Sequence, residues 1–468
     1  MTFDLSSYRR FIASKGAHVA SEGFAPQALP DRLFPHQRAA VEFACQRGRA
    51  AAFLDTGLGK SGVEAVFAEE ARRASGKPAL ILTPLAVARQ MQRECEAFGI
   101  QARVVREDSE VWSGVNIANY ERLPKLDTRR FGAVVLDESS ILKSFTGPTK
   151  RMLCEAFADT PYRLAATATP APNDHMEIGQ HAEFLGVMPG PEMLSRWFVN
   201  DQTTMGGYRL KGHAAASFWA WVASWARAAS MPSDLGGDDA GFTLPPLQYR
   251  THVVQADVSV DTGGALFRLV DNSATSVHAE KRRTMRERVQ VAAEAANAAN
   301  GSVVVWCETN DESTALAKAV PDAIEVTGSM PADEKERALD AFTFGERRVI
   351  VTKPKLAGFG LNWQHATVTV FASVSHSYEQ HYQAVRRLWR FGQSEPVTAH
   401  VVLADTEYAM WTNVRRKADD HDRMKAAMAR AMTAAQQARD LRVAYTKSPE
   451  VVLPAFLKGA KEKQHADA

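Results

Sequence analysis

Short apolar runs recur along the first half of the chain, each closed by polar, glycine or proline residues: 51–54 (AAFL), 79–83 (ALILT), 115–118 (VNIA), 133–136 (AVVL) and 163–166 (RLAA). Stretches with helical spacing separate them. Strand-length apolar runs alternating with helices predict β-α-β units around a parallel sheet. The texture changes from about 186 to 246, which is rich in Trp, Gly and Pro and closes with GFTLPP; it reads as helical insertions followed by a linker. Strand-like runs then resume at 303–307 (VVVWC), 323–326 (AIEV), 348–352 (RVIVT), 367–372 (TVTVFA) and 399–403 (AHVVL). From about 406 the chain is rich in Ala, Arg and Lys at helical spacing, and its last ten residues read as frayed. The expected fold class is α/β, with two parallel-sheet domains in tandem, helical insertions and a C-terminal helical extension. The boundaries drawn on this pattern are an N-terminal extension at 1–26, a first domain at 27–246 containing the insertion at about 186–246, a second domain at 247–420, and a helical tail at 421–468.

Length agrees, since 468 residues are too many for one ordinary domain. No apolar run approaches the roughly 18 residues of a membrane span, and the opening MTFDLSSYRRFIASKG lacks the apolar core of a secretory signal. Four scattered cysteines, Cys45, Cys95, Cys154 and Cys307, point to a reducing cytoplasm without a structural metal. The 13 histidines form no HxxxH pair. A net charge of only +2 means that any polyanion must be held by local basic patches.

The sharpest chemical signal is LDTGLGKSG, directly after the run ending at Leu54. Gly57 and Gly59 allow the backbone to curl so that its N–H groups face a phosphate. Lys60 reaches the β- and γ-phosphates, and the Ser61 hydroxyl ligates Mg²⁺. Thr56, Gly57, Leu58, Gly59, Lys60 and Ser61 are thus the expected nucleotide-binding loop. The full consensus wants glycine where Leu54 stands. About 80 residues on, GAVVLDESS puts Asp137 and Glu138 at the end of an apolar strand, where a nucleotide-bound Mg²⁺ needs a carboxylate and an attacking water needs a base. In 383–393 (QAVRRLWRFGQ), Gln383, Arg387 and Arg390 are expected on one helix, the two arginines sharing a face; a solvated basic face is the alternative. Phe218, Trp221, Val222 and Trp225 have the spacing of a buried helix face, with base stacking the alternative. The basic run 281–288 (KRRTMRER) reads as a solvated helix face or a phosphate contact.

In order, these motifs resemble the superfamily-two helicase-type ATPases of the Swi/Snf-like branch, over roughly residues 30–420, and in compactness the phage-encoded members. The resemblance implies two RecA-like domains and an ATPase using ATP and Mg²⁺. It implies that Gln37 in LFPHQRAAVEF reads the adenine edge, and that 82–94 (LTPLAVARQMQRE) and 119–123 (NYERL) contact a nucleic-acid backbone. Asp137 then serves the metal and Glu138 the water. Thr167 and Thr169 in TATP (167–170), with Gln383, couple hydrolysis to domain movement. The loop 357–363 (AGFGLNW), with Gly360, contacts nucleic acid and nucleotide. Arg390 is the arginine finger and Arg387 a second γ-phosphate contact. The tail from about 406 braces back across the first lobe. Trp363, Trp389 and Ala168 depart from the usual Leu, His and Gly, but remove no group that hydrolysis needs. The expected activity is ATP-dependent translocation on DNA, duplex before single-stranded and RNA less so, by a monomer with no membrane partner, in a cytoplasm (a host's, if phage-encoded). The rival readings are a strand-separating DNA or RNA helicase, and a nucleotide-gated DNA clamp with little turnover.

Overall fold

The computed structural model describes residues 23–84, 87–143, 147–171, 174–201, 207–255, 281–357, 361–375 and 377–440. The first lobe is built on a seven-stranded sheet of β1 (Arg49–Leu54), β2 (Ala79–Thr83), β3 (Ala102–Val104), β4 (Val115–Asn119), β5 (Ala133–Asp137), β6 (Tyr162–Ala166) and β9 (Ala226–Ala229). The spatial order is β3-β4-β2-β5-β6-β1-β9, and every pairing is parallel. Helices cover both faces, so the strands read as unbroken apolar runs: every residue of β2 is buried.

The hairpin of β7 (Phe198–Asp201) and β8 (Gly207–Leu210) stands apart from that sheet. It and β9 correct the reading of 186–246 as helical insertions and a linker. β9 pairs with β1 from Ala51–Ala226 to Leu54–Ala229, so this stretch closes the sheet beside the phosphate loop. Within it, the helix Ala215–Trp225 buries Phe218, Val222 and Trp225 completely, and the aromatic stripe is a packing face.

The second lobe carries β10 (Leu247–Val254), β11 (Val303–Trp306), β12 (Ala323–Glu325), β13 (Val349–Thr352), β14 (Val368–Phe371) and β15 (Val397–Ala404), in the order β10-β15-β14-β11-β13-β12, again all parallel. Two parallel α/β domains in tandem are therefore present, as the alternating pattern implied. Of the basic run 281–288, Lys281 and Arg288 are buried: Lys281 Nζ donates to the Val374 carbonyl at 2.8 Å, and Arg288 donates to the Lys281 carbonyl at 2.6 Å. Those two charges belong to the core of the lobe.

A single helix, Tyr408–Asp440, joins the lobes. Met410, Trp411 and Val414 near its start sit in the apolar core of the second lobe. Met424 and Met428, further along, sit in that of the first, packed with the helix Ala215–Trp225. No helix among the described residues is long and apolar enough to cross a membrane.

Trp306, fully buried, packs its ring on Trp363 at 5.9 Å and donates its indole N–H to Thr369 Oγ1 at 2.8 Å. Trp306→Ala is expected to lower the stability of the second lobe by about 3–5 kcal/mol. The measurement is the urea midpoint followed by a probe in that lobe, and an unchanged midpoint would remove Trp306 from the centre of its core.

Candidate functional site

In the first lobe β6 lies between β1 and β5. The loops that follow these three neighbours, DTGLGKS, TATP and DESS, therefore leave the sheet along one edge, the carboxyl edge where parallel sheets bind ligands. The phosphate loop turns at Gly57 (φ +99) and Gly59 (φ +71), a region open to glycine and strained for other residues. A Cβ on Gly57 would stand 2.8 Å from the backbone nitrogen of Phe391 in the second lobe, and one on Gly59 would meet the Gln37 amide. Gly59 caps the helix Lys60–Ser75, whose first amides face the cleft. Leu54, standing where the consensus has glycine, ends β1 as a fully buried core residue.

One cleft of about 130 Å³ is lined from the first lobe by Asp55, Thr56, Gly57, Gly59, Lys60, Ser61, Asp137 and Glu138, and from the second by Gln383, Arg387 and Arg390. The expected catalytic residues thus meet in one place, from segments more than 300 positions apart. That volume is below the roughly 300–1,000 Å³ of ordinary small-ligand pockets.

The Asp137 carboxyl, 9 % exposed, is raised to about 6, first by burial and then by the charge of Glu138, with Lys60 opposing. Among the described residues it makes no ion pair within 4 Å. Its main-chain carbonyl accepts from the Tyr120 hydroxyl at 2.7 Å, so the Tyr of NYERL is a buried support of this strand end. Beside it the buried Glu64, which the sequence reading passed over, is held well above the ordinary carboxylate range by burial and then by Asp137. A buried carboxylate that makes no ion pair within 4 Å among the described residues, beside Lys60 and Ser61, fits a divalent ion. No group of three or more His, Cys, Asp or Glu among the described residues could hold one alone, so a Mg²⁺ here would share its shell with phosphate oxygens and water.

Glu138 has φ +57, a backbone conformation that costs a non-glycine residue about 1–2 kcal/mol. The turn aims its carboxylate across the cleft. Oε1 accepts from Thr167 Oγ1 at 2.6 Å and from Ser140 Oγ at 3.3 Å, while Oε2 accepts from Gln383 Nε2 at 3.4 Å. The three polar residues expected to couple the lobes divide accordingly: Thr167 and Gln383 both hold Glu138, whereas Thr169 donates its backbone N–H to Thr167 Oγ1 and leaves its own buried hydroxyl without a partner. Behind them Ser139 Oγ lies 3.3 Å from His181 Nδ1, and His181 Nε2 lies 2.9 Å from the Pro170 carbonyl. Burial lowers His181 to about 4, so this neutral ring ties DESS to TATP.

The helix expected to carry Gln383, Arg387 and Arg390 ends early. It spans Tyr378–Val385, and both arginines follow in a turn. In a continuing helix the Arg387 N–H would bond to the Gln383 carbonyl; here it bonds to the Ala384 carbonyl at 3.2 Å, and the Gln383 carbonyl accepts from the Arg387 side chain at 3.0 Å instead. Arg387 donates to the Gln383 carbonyl (3.0 Å), Gln383 Oε1 (2.9 Å) and the Leu361 carbonyl (3.0 Å), and Arg390 donates to that same Leu361 carbonyl at 3.3 Å. All these partners are neutral. Burial and then Arg390 lower Arg387 to about 9; burial and then Arg386 lower Arg390. Guanidinium groups stay charged in proteins, so the direction records positive charge crowded together in a buried site. Leu361 places part of the 357–363 loop against both arginines, while Gly360 lies outside the described residues.

Gln37 does not face an open pocket. Its Oε1 accepts from the Phe34 N–H at 3.0 Å, and its Nε2 donates to the Leu58 and Gly59 carbonyls at 3.2 Å each. Reading a base edge requires it to release some of these. Leu58 is buried and lends the loop its carbonyl. The sequence reading missed Asp55, Tyr382, Arg386 and Lys425, which meet at the rim of the cleft. Asp55 was legible only as a loop neighbour, Arg386 only as one of two adjacent arginines, and Lys425 gave no signal beyond helical spacing.

Residues 280–392 match the helicase conserved C-terminal domain. The second lobe thus carries the match to that domain. No curated protein matches the chain. Among solved structures, the Sulfolobus solfataricus SWI2/SNF2 ATPase core in complex with dsDNA is similar at 15% identity, covering 87% of this chain and 96% of that one with a TM-score of 0.41.

Because Asp137 holds a proton up to about pH 6, a cation must displace that proton at lower pH. Mg²⁺-nucleotide binding is therefore expected to weaken between pH 7.5 and 5.5, roughly tenfold per pH unit below the pKa. Calorimetry near pH 6 in buffers of different ionisation enthalpy should show proton release, and Asp137→Asn should abolish it. Binding without proton release would contradict the raised carboxyl.

Proposed function

We propose that this protein is a helicase-type ATPase, a motor that tracks along duplex DNA and uses Mg²⁺-ATP hydrolysis to open and close its two lobes. The observation that carries the reading is the pair of buried arginines with neutral partners on one wall, facing Lys60, Asp137 and Glu138 on the other. A triphosphate entering between them gives both arginines an anion to hydrogen-bond in place of neutral carbonyls and an amide. Lys60 and the amides at the start of Lys60–Ser75 take the β- and γ-phosphates. Ser61 and Asp137 would hold the Mg²⁺, which neutralises charge on the phosphate oxygens. Glu138 orients the attacking water, and its ties to Thr167 and Gln383 give each lobe a share in that orientation. Arg390 is the finger and Arg387 its companion. Since the transition-state charge is met from both lobes, hydrolysis needs the closed cleft, and one turnover drives one cycle of opening.

Duplex DNA is assigned as the track because the ordered motifs resemble the Swi/Snf-like branch. The deciding experiment compares ATPase stimulation by duplex DNA, single-stranded DNA and RNA at matched salt. The greatest stimulation is expected with duplex and no strand displacement in a helicase assay. Preference for single strands or RNA with displacement would make it an unwinding helicase, and negligible turnover on every nucleic acid a clamp.

Lys60→Ala is expected to abolish turnover by weakening phosphate binding; turnover near that of the parent would sink the phosphate-loop assignment. Arg390→Ala should retain nucleotide affinity while kcat falls by about 10³–10⁵-fold, the range for an arginine finger. Lost affinity with unchanged kcat would make Arg390 a binding residue only.

A further inference from the structure

The carboxylate of Asp55, two residues before Gly57, is more completely engaged than any nucleotide contact requires. Its Oδ1 accepts from the Thr56 N–H at 2.7 Å and pairs with the Arg386 guanidinium at 2.7 Å; the Tyr382 hydroxyl donates to the same oxygen. Oδ2 pairs with Lys425 Nζ at 2.8 Å. Asp55 belongs to the phosphate loop of the first lobe, Tyr382 and Arg386 to the second lobe, and Lys425 to the connecting helix Tyr408–Asp440. All three charged side chains are 12 % exposed or less. Tyr382 is the common wall: its ring lies 5.4 Å from the Arg386 guanidinium and 5.2 Å from Lys425 Nζ, and Trp389 covers the other side of Arg386 at 4.8 Å.

Arg386 is the chain neighbour of Arg387. Its remaining bonds run to Tyr382 Oη at 3.3 Å and to the Trp389 carbonyl at 3.2 Å, within the turn that carries Arg387 and Arg390. Fixing Arg386 on Asp55 therefore fixes that turn against the phosphate loop, and Phe391, just beyond it, lies against Gly57. A second interlobe pair, Lys143 with Glu379, engages the same second-lobe helix from the DESS side.

We infer that Asp55 is a positioning residue: its ion triad with Arg386 and Lys425 latches the second lobe and the connecting helix onto the phosphate loop, and so sets the place of Arg387 and Arg390 over the cleft. The inference rests on the nucleotide-cleft reading above. It adds that part of the arginine placement is dictated from the connecting helix, outside both lobes' nucleotide-facing surfaces. Burial alone would push the Asp55 carboxyl up, but Arg386, Lys425 and the hydrogen bonds from Lys425 and Tyr382 hold it well below the ordinary range.

The test uses the full chain with Asp55→Asn, Lys425→Met, the double variant, and Lys425→Arg as the charge-retaining control. Three quantities are read for each: the interlobe distance by electron–electron resonance between spin labels at Gln101→Cys and Glu346→Cys in a Cys154→Ser background, the affinity for a fluorescent ADP, and the DNA-stimulated kcat. Asp55→Asn and Lys425→Met should each shift the nucleotide-free distance distribution toward open forms and lower kcat by about 10²-fold, the scale of an ångström-level misplacement. For Lys425→Met, ADP affinity should stay within about threefold, because Lys425 is not among the residues that line the cleft. The double variant should fall no further than the worse single one, since both break the same unit, and Lys425→Arg should restore most of kcat. Unchanged distances in both single variants, or losses that multiply in the double variant, overturn the latch. Should Asp55→Asn fail to fold, Lys425→Met against Lys425→Arg carries the comparison. Should the parent itself show no turnover, the motor reading is what fails, and the distance measurement alone still decides whether the latch exists.

Discussion

Parallel pairing is the constraint from which the rest of the molecule follows. In a sheet whose strands all run one way, every strand ends on the same edge, so loops far apart in the chain are delivered side by side. The order β5-β6-β1 brings DESS, TATP and DTGLGKS together in the first lobe. The strained turn at Glu138 then swings a carboxylate across the gap to Thr167 and Gln383. The second sheet, facing the first, supplies its own edge through the turn after Tyr378–Val385. None of these groups lies near its partners along the chain.

Charge in the cleft is arranged in two different ways within a short distance. Around Asp55 two buried cations share one carboxylate, each on its own oxygen, so every charge there has an opposite one in contact. Around Arg387, Arg390 and Asp137 like charges are crowded and opposite charges are kept apart, and the same low-dielectric surroundings raise one acid to about 6 and lower one guanidinium to about 9. Satisfied charge holds the lobes; unsatisfied charge waits for a ligand. A site in which both sets were paired would have no reason to bind an anion with a cation.

Much of this was legible in the residues. The strands buried on both faces, such as VVVW in β11, announced themselves as apolar runs, and Gly57, Gly59 and Lys60 announced the phosphate loop. β10 did not: in LQYRTHVV most side chains are exposed on an edge strand, so there is neither an apolar run nor an alternation to read. β9 was hidden because ARAA is short and small. The arginine-bearing helix is shorter than its local sequence suggests, and the turn that follows it is held from more than 20 residues upstream, by the Leu361 carbonyl and the Trp363 N–H. Lys425 was equally invisible, for its value depends on a carboxylate 370 positions away.

The connecting helix carries a consequence of its own. It is anchored in the second lobe through Met410, Trp411 and Val414 and in the first through Met424 and Met428, so its middle is a rod clamped at both ends. With a rise of about 1.5 Å and a rotation of about 100° per residue, one residue gained or lost between the two anchor sets would swing one set a quarter-turn or more around the axis relative to the other. Length along this stretch is thus a matter of phase. Such a helix can change its span only by near-whole turns if both anchor sets are to keep their faces.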